Sequence, residues 1–175
     1  MESIIQSVAS QSVRSVFFLS GVLFISSLGH TLIARAESAD TKKKRVSANN
    51  TFIFSPRSLS WKAIDSSGRV VRSGRASGGR NYCPDIHRGC RTPSGTYHII
   101  SKGGAGCKSS RYPVGKGGAP MPYCMFFSRY YAVHGSYDVP NYNASHGCVR
   151  VTPSDARWLN QNFMRIGTRV VVKPY

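Results

Sequence analysis

From Thr51 to Tyr175 the sequence contains no glutamate, and its aspartates are only Asp65, Asp85, Asp138 and Asp155. A glycosidase needs two carboxylates at a set separation, and a hard-cation site needs several oxygen ligands. That scarcity excludes carboxylate pairs as the centre of the chemistry. No internal repeat of useful length occurs, which removes solenoids and propellers. Apolar runs are short as well: "VFFLSGVLFI", Val16 to Ile25, falls below what a bilayer core of ~30 Å requires. With Arg14 before it and Ala34-Arg35-Ala36 after it, this run reads as the heart of a secretory signal peptide over residues 1–36. The competing reading, an uncleaved anchor from Val16 to Ile33, is diluted by Ser20, Ser26, Ser27 and His30.

What the chain has in excess is positive charge. Lys and Arg number 24 against 7 acids, a net charge of +17. Removing residues 1–36 takes away Arg14, Arg35 and Glu2, which lowers the charge by one, to +16. In a cytosolic protein such an excess suggests nucleic acid. Export redirects it, because the polyanions outside the membrane are wall peptides, anionic wall polymers and lipid head groups. The expected location is the periplasm or cell wall, with no nucleic-acid partner and membrane contact only in transit through the signal peptide. Solubility alone is the plainer account of the charge.

Residues 37–50, "ESADTKKKRVSANN", are polar, carry Lys42 to Arg45 in a row and lack apolar period, as a flexible basic linker does. From residue 51 the texture changes to short β-type runs. "SWKAIDSSGRVVRSGRASGG" reads as a hairpin about Ser66-Ser67-Gly68. "GTYHIIS", "MFFSRYYAVHG" and "TRVVVKP" are further strands. One helix is expected from Thr152, with Pro153 at its first position and Asp155 closing a capping box. The fold class is therefore mainly β, a sandwich or a small barrel, over a single domain at 51–175.

Five cysteines and five histidines remain to carry chemistry. In an exported protein one cysteine is left over if the others pair, and Cys148 is the natural odd one. Cys83, Cys90, Cys107 and Cys124 allow three pairings. The sequential one, Cys83 with Cys90 and Cys107 with Cys124, is preferred, and would contribute about 2.5 and about 3 kcal/mol on the chain-entropy model. It would also brace residues 102–123, a glycine-rich stretch that looks unable to order itself.

Cys148 lies in "SHGCVR", Ser145 to Arg150, and His134-Gly135 repeats the His-Gly pair upstream. A thiol of pKa about 8.5 is only ~3% thiolate at pH 7, and an adjacent imidazolium that lowers its pKa to about 6 makes it ~90% thiolate. The amides of His146, Gly147 and Cys148 are candidates for an oxyanion hole. Arg150, two residues on and so on the same side of a strand, is placed to hold a substrate carboxylate. The alternatives are an inert strand cysteine, or a zinc site from His134, His146 and Cys148, which lacks a fourth ligand.

"HG" at 134–135 followed by "SHGCVR" at 145–150 resembles the signature of the L,D-transpeptidase catalytic domain, the YkuD-type cysteine enzymes that cross-link peptidoglycan. "RTPSGTYHI", Arg91 to Ile99, is similar to another strand of that family. The resemblance covers about residues 51–175. It implies a β sandwich with a short C-terminal helix and a loop lid, here Lys102 to Tyr123. It implies Cys148 as nucleophile, His134 as its base, and the carbonyl of Gly135 orienting that imidazole. His146 would shape the oxyanion hole and pocket, and Ser145 and Arg150 would contact substrate. The partners implied are peptidoglycan stem peptides and an amine acceptor, on another stem or on a wall-anchored protein. No metal and no cofactor are called for. Water as acceptor would make the protein an L,D-carboxypeptidase, and a non-catalytic basic wall-binding module or secreted effector would keep the same fold. The insert "NYCPDIHRGC" and the Cys107/Cys124 pair depart from the simplest members.

Overall fold

The computed structural model describes residues 50–175. The expected signal peptide at 1–36 lies outside the described residues, as does all but the last position of the linker at 37–50.

The chain runs through β1 (Thr51–Ser55), β2 (Ser60–Ile64), β3 (Val70–Arg75), a 3-10 turn (Pro84–Ile86), β4 (Gly95–His98), β5 (Ser101–Lys102), β6 (Met125–Phe126), β7 (Ala132–Gly135) and β8 (Val149–Val151). Helix α1 (Pro153–Trp158) follows, continues into one π turn (Leu159–Phe163), and leads to β9 (Arg169–Val172). One sheet has the order β3-β2-β1-β9-β4 and the other β5-β6-β7-β8. Strict alternation builds the first sheet: Phe52 and Phe54 of β1, and Trp61 and Ala63 of β2, all point into the core. Asp65 fixes the β2–β3 turn, its Oδ1 accepting from the amides of Ser67 and Arg69 at 2.9 and 3.1 Å. Gly68 there takes a φ of 84°, a conformation that favours glycine.

The two sheets share one apolar core, in which Phe52, Phe54, Trp61, Val170 and Val172 meet Met125, Val133, Val149 and Val151. Burying each such side chain contributes about 1.5–3 kcal/mol. Thr152 caps α1, its hydroxyl accepting from the Asp155 amide at 3.2 Å. The second half of the expected capping box is spent elsewhere. Asp155 pairs with Arg72 of β3 at 2.7 Å and so ties the helix to the sheet edge. Leu159 and Phe163 are buried, and Trp158 stacks on Phe163 at 5.6 Å. Lys102 donates to the carbonyls of Asn160 and Met164, closing groups that a helix end leaves open. Among the described residues no helix is long and apolar enough to cross a membrane.

Both bridges have the sequential pairing, Cys83–Cys90 and Cys107–Cys124. The lid they were expected to brace is more ordered than its composition suggests. Ser109 donates to Ala119, Gly118 to Ser109 and Met121 to Cys107 at 2.7–2.9 Å, so its two limbs are laced together by main-chain bonds. Glycine content misleads here because Gly115, Gly117 and Gly118 sit at positive φ, where they make the tight return rather than add slack.

Candidate active site

Strands β7 and β8 run parallel, with Val133 opposite Val149 and His134 opposite Arg150. The period of two then puts His134, Arg150 and Cys148, which immediately precedes β8, on one face, while Val133, Val149 and Val151 point into the core. Cys148 is the free cysteine, and it is half-buried. It lines a slot of about 180 Å³ with His134, His146, Arg150 and residues of the lid. That is narrower than the ~300–1,000 Å³ of a typical small-molecule pocket.

His134 is 6% exposed. Its Nδ1 lies 2.9 Å from the Gly135 carbonyl, an atom that can only accept, so Nδ1 carries the proton and Nε2 keeps a lone pair. Burial pushes the imidazole pKa down to about 4, opposed by the Gly135 carbonyl and helped by the Arg150 charge. The Cys148 thiol moves the other way. Burial pushes it up, against weaker lowering by an Ala132 backbone hydrogen bond and by Arg150. Both directions run against the expected thiol acidified by an imidazolium. Both groups are desolvated, which disfavours charge on each.

The turn ahead of Cys148 is held by Ser145, which is buried. Its hydroxyl donates to the Cys148 carbonyl at 2.5 Å and accepts from the Gly147 amide at 3.0 Å. Ser145, expected as a substrate contact, thus spends its hydroxyl inside the turn, and the Gly147 amide expected in the oxyanion hole is committed to it. The amides of His146 and Cys148, the other two expected there, lie on either side of Gly147 in sequence. Gly147 has a φ of 116°, and a Cβ there would stand 2.3 Å from a Tyr131 ring carbon. Only glycine satisfies both constraints. Arg150 faces the slot with its guanidinium paired to Asp138 at 2.7 Å.

His146 also lines the slot, and its partners come from two places the sequence does not connect. Nε2 donates to Asp85 at 2.7 Å, and the ring stacks on Tyr112 of the lid at 4.3 Å. Asp85 reaches it because Cys83–Cys90 closes the small loop around the 3-10 turn, and the buried strap Ala76–Gly79 delivers that loop to the site. Ser77 bonds to both main-chain groups of Arg150, at 2.8 and 3.0 Å. Gly79 passes so close that a Cβ would lie 1.9 Å from the Cys90 carbonyl. Asp85, Tyr112 and Asp138 carry no motif in the sequence; the one signal for Asp85 was its place inside the cysteine insert. Cys83, Asp85 and His146 hold potential metal-ligand atoms within 4.8 Å of one another. The disulfide consumes the Cys83 sulfur, however, and leaves an imidazole–carboxylate pair.

The L,D-transpeptidase catalytic domain family (YkuD) matches residues 58–172. Among solved structures, the chain is similar to an L,D-transpeptidase from Xylanimonas cellulosilytica, at 31% identity over 71% of this chain and 60% of that one, with a TM-score of 0.60. An L,D-transpeptidase from Mycobacterium smegmatis matches at 19% identity, covering 72% and 59%, with a TM-score of 0.59. L,D-transpeptidase 3 from Mycobacterium tuberculosis, solved with a faropenem-derived adduct, matches at 22%, covering 72% and 60%, with a TM-score of 0.57. The chain thus spans about three fifths of the solved chains it matches. No curated protein sequence matches it.

Proposed function

The chain belongs to the L,D-transpeptidase catalytic domain family, and from that premise we propose that it is an exported cysteine acyltransferase acting on peptidoglycan tetrapeptide stems. The observation that carries this reading is the shared face of Cys148 and His134 on adjacent parallel strands, with His134 held as the Nδ1–H tautomer by Gly135. A neutral imidazole with a free Nε2 is a general base, and a half-buried thiol is the group it serves.

In this mechanism Nε2 of His134 takes the Cys148 proton as sulfur attacks the carbonyl of the third stem residue, a meso-diaminopimelate-type residue. The thiolate exists only as the bond forms, in keeping with a thiol pKa raised by burial. The His146 and Cys148 amides hold the oxyanion. As the tetrahedral intermediate collapses, the bond to D-Ala breaks, His134 returns its proton to the departing amine, and a thioester remains on Cys148. The amine of a second stem then attacks the thioester, giving its proton to His134, and Cys148 leaves as the thiol. Water or a protein lysine enters by the same chemistry, making a carboxypeptidase or a protein-to-wall anchor respectively.

The test is incubation of the mature protein with wall muropeptides and identification of products by mass. A cross-linked dimer with loss of D-Ala supports transpeptidation. Release of D-Ala alone assigns the carboxypeptidase, and unaltered muropeptides sink the enzyme reading in favour of a wall-binding module.

A further inference from the structure

The mouth of the slot is basic and contains no acid. Lys108 and Arg111 come from the lid, and Arg129 from the turn between β6 and β7. Arg150 lies deeper, and Asp138 neutralises it. Arg111 and Arg129 meet at one ring. Their guanidinium carbons lie 5.5 and 5.4 Å from the centroid of Tyr130, which is exposed. The salt bridges among the described residues engage Arg69, Arg72, His146 and Arg150, so neither Arg111 nor Arg129 has an acidic partner. Contact with the ring limits where each guanidinium can turn. Tyr130 is also next to the chemistry: its carbonyl is 3.9 Å from Cys148 Sγ.

We propose that Arg111 and Arg129, arrayed on Tyr130, form an anion clamp that binds a free carboxylate of the stem peptide at the entrance to the Cys148 slot. This rests on the acyltransferase reading and adds a substrate preference to it. A carboxylate entering the slot past Tyr130 neutralises unpaired positive charge and accepts charge-assisted, forked hydrogen bonds from planar donors suited to it. An amide in its place removes the charge and puts N–H donors against N–H donors. The clamp thus selects stems by whether their carboxylates are free or amidated. The two carboxylates that flank the scissile bond of a tetrapeptide stem have this chemistry, on the side chain of the third residue and at the C-terminus.

Three synthetic tetrapeptide stems distinguish them: one with both carboxylates free, one amidated on the third side chain, and one amidated at the C-terminus. Binding is read by calorimetry on the Cys148→Ala protein, which holds the stem without turning it over. One of the two amidations is expected to weaken binding about tenfold. In the Arg111→Gln/Arg129→Gln background that penalty disappears. Arg57→Gln, which removes one exposed charge outside the slot, keeps it and so separates the clamp from general basicity. Equal affinities for all three stems, a penalty that survives the double substitution, or no binding of any stem overturns the clamp. Turnover by the unaltered protein is read separately. Stems that bind but are never turned over defeat the enzyme reading and leave the clamp standing, whereas stems turned over with equal affinities defeat the clamp alone.

Discussion

His146 and Asp85, sixty-one positions apart in sequence, are joined by a 2.7 Å contact that links the turn before Cys148 to the Cys83–Cys90 loop. The hydrogen bond from His146 is also the main reason the Asp85 carboxyl titrates below its ordinary range. Asp85→Asn keeps the shape and removes the charge. It should lower kcat/KM severalfold with little change in Tm, because the bond that holds the ring loses its charge assistance while the core is untouched. Steady-state kinetics beside a thermal melt checks this, and unchanged kinetics would show that His146 is held by Tyr112 alone.

Cys148→Ala should abolish acyl transfer, since no other sulfur in the site is free. Far-UV circular dichroism should stay native, because the thiol lies outside the main core. Muropeptide turnover surviving in this variant would mean the nucleophile has been misassigned.

The pH dependence follows from two buried neutral groups. With His134 at about 4, the base is ready through the whole neutral range, so kcat/KM should be flat from pH 5 to 7 and fall only below that. Iodoacetamide labelling of Cys148 should rise late, with a midpoint above that of an ordinary thiol. A labelling midpoint near 6 would restore the thiolate–imidazolium pair.

The same histidine links stability to pH. Its folded pKa lies below the unfolded value of about 6.5, so the unfolded chain binds the proton more tightly. Above pH 7 the group contributes nothing to the balance. Stability is lost as pH falls from about 6.5 towards 4, reaching about 3 kcal/mol below that. Urea midpoints at pH 7 and pH 4 should differ by less in His134→Gln than in the unaltered protein.

A carbapenem should add one drug mass to Cys148. The strained lactam offers a carbonyl like that of the acyl donor, and opening its ring leaves the thioester with no separate leaving group. Intact-mass spectrometry reads the adduct directly. The absence of an adduct in a protein that turns over muropeptides would show that the laced lid excludes the drug, and an adduct persisting in Cys148→Ala would place it on another residue.

Much of the fold could be read from local pattern. The β2–β3 hairpin, the capped helix at Thr152 and the buried faces of β1 and β9 follow from alternation, turn chemistry and a capping residue, all of them short-range signals. That His134 and Cys148 line one slot was legible from the two His-Gly steps beside them. The Asp85–His146 contact was not, since it depends on how a disulfide loop is carried across the sheet by Ala76–Gly79. Nor were the directions of the two pKa shifts. A neighbouring histidine suggests an acidified thiol, but desolvation decides the sign, and burial cannot be read from adjacency. The bonding of Ser145 was illegible for a related reason: nothing local in the sequence says that its hydroxyl closes the turn before Cys148.

The parallel pairing of β7 with β8 has a consequence for how such a protein wears out. His134 and Cys148 lie across the ~4.8 Å interval between neighbouring strands and are offset by two residues along it, and Val133, Val149 and Val151 hold that interval from the core side. The placement of His134 relative to Cys148 is thus a property of sheet pairing, and it lasts while β7 and β8 stay paired.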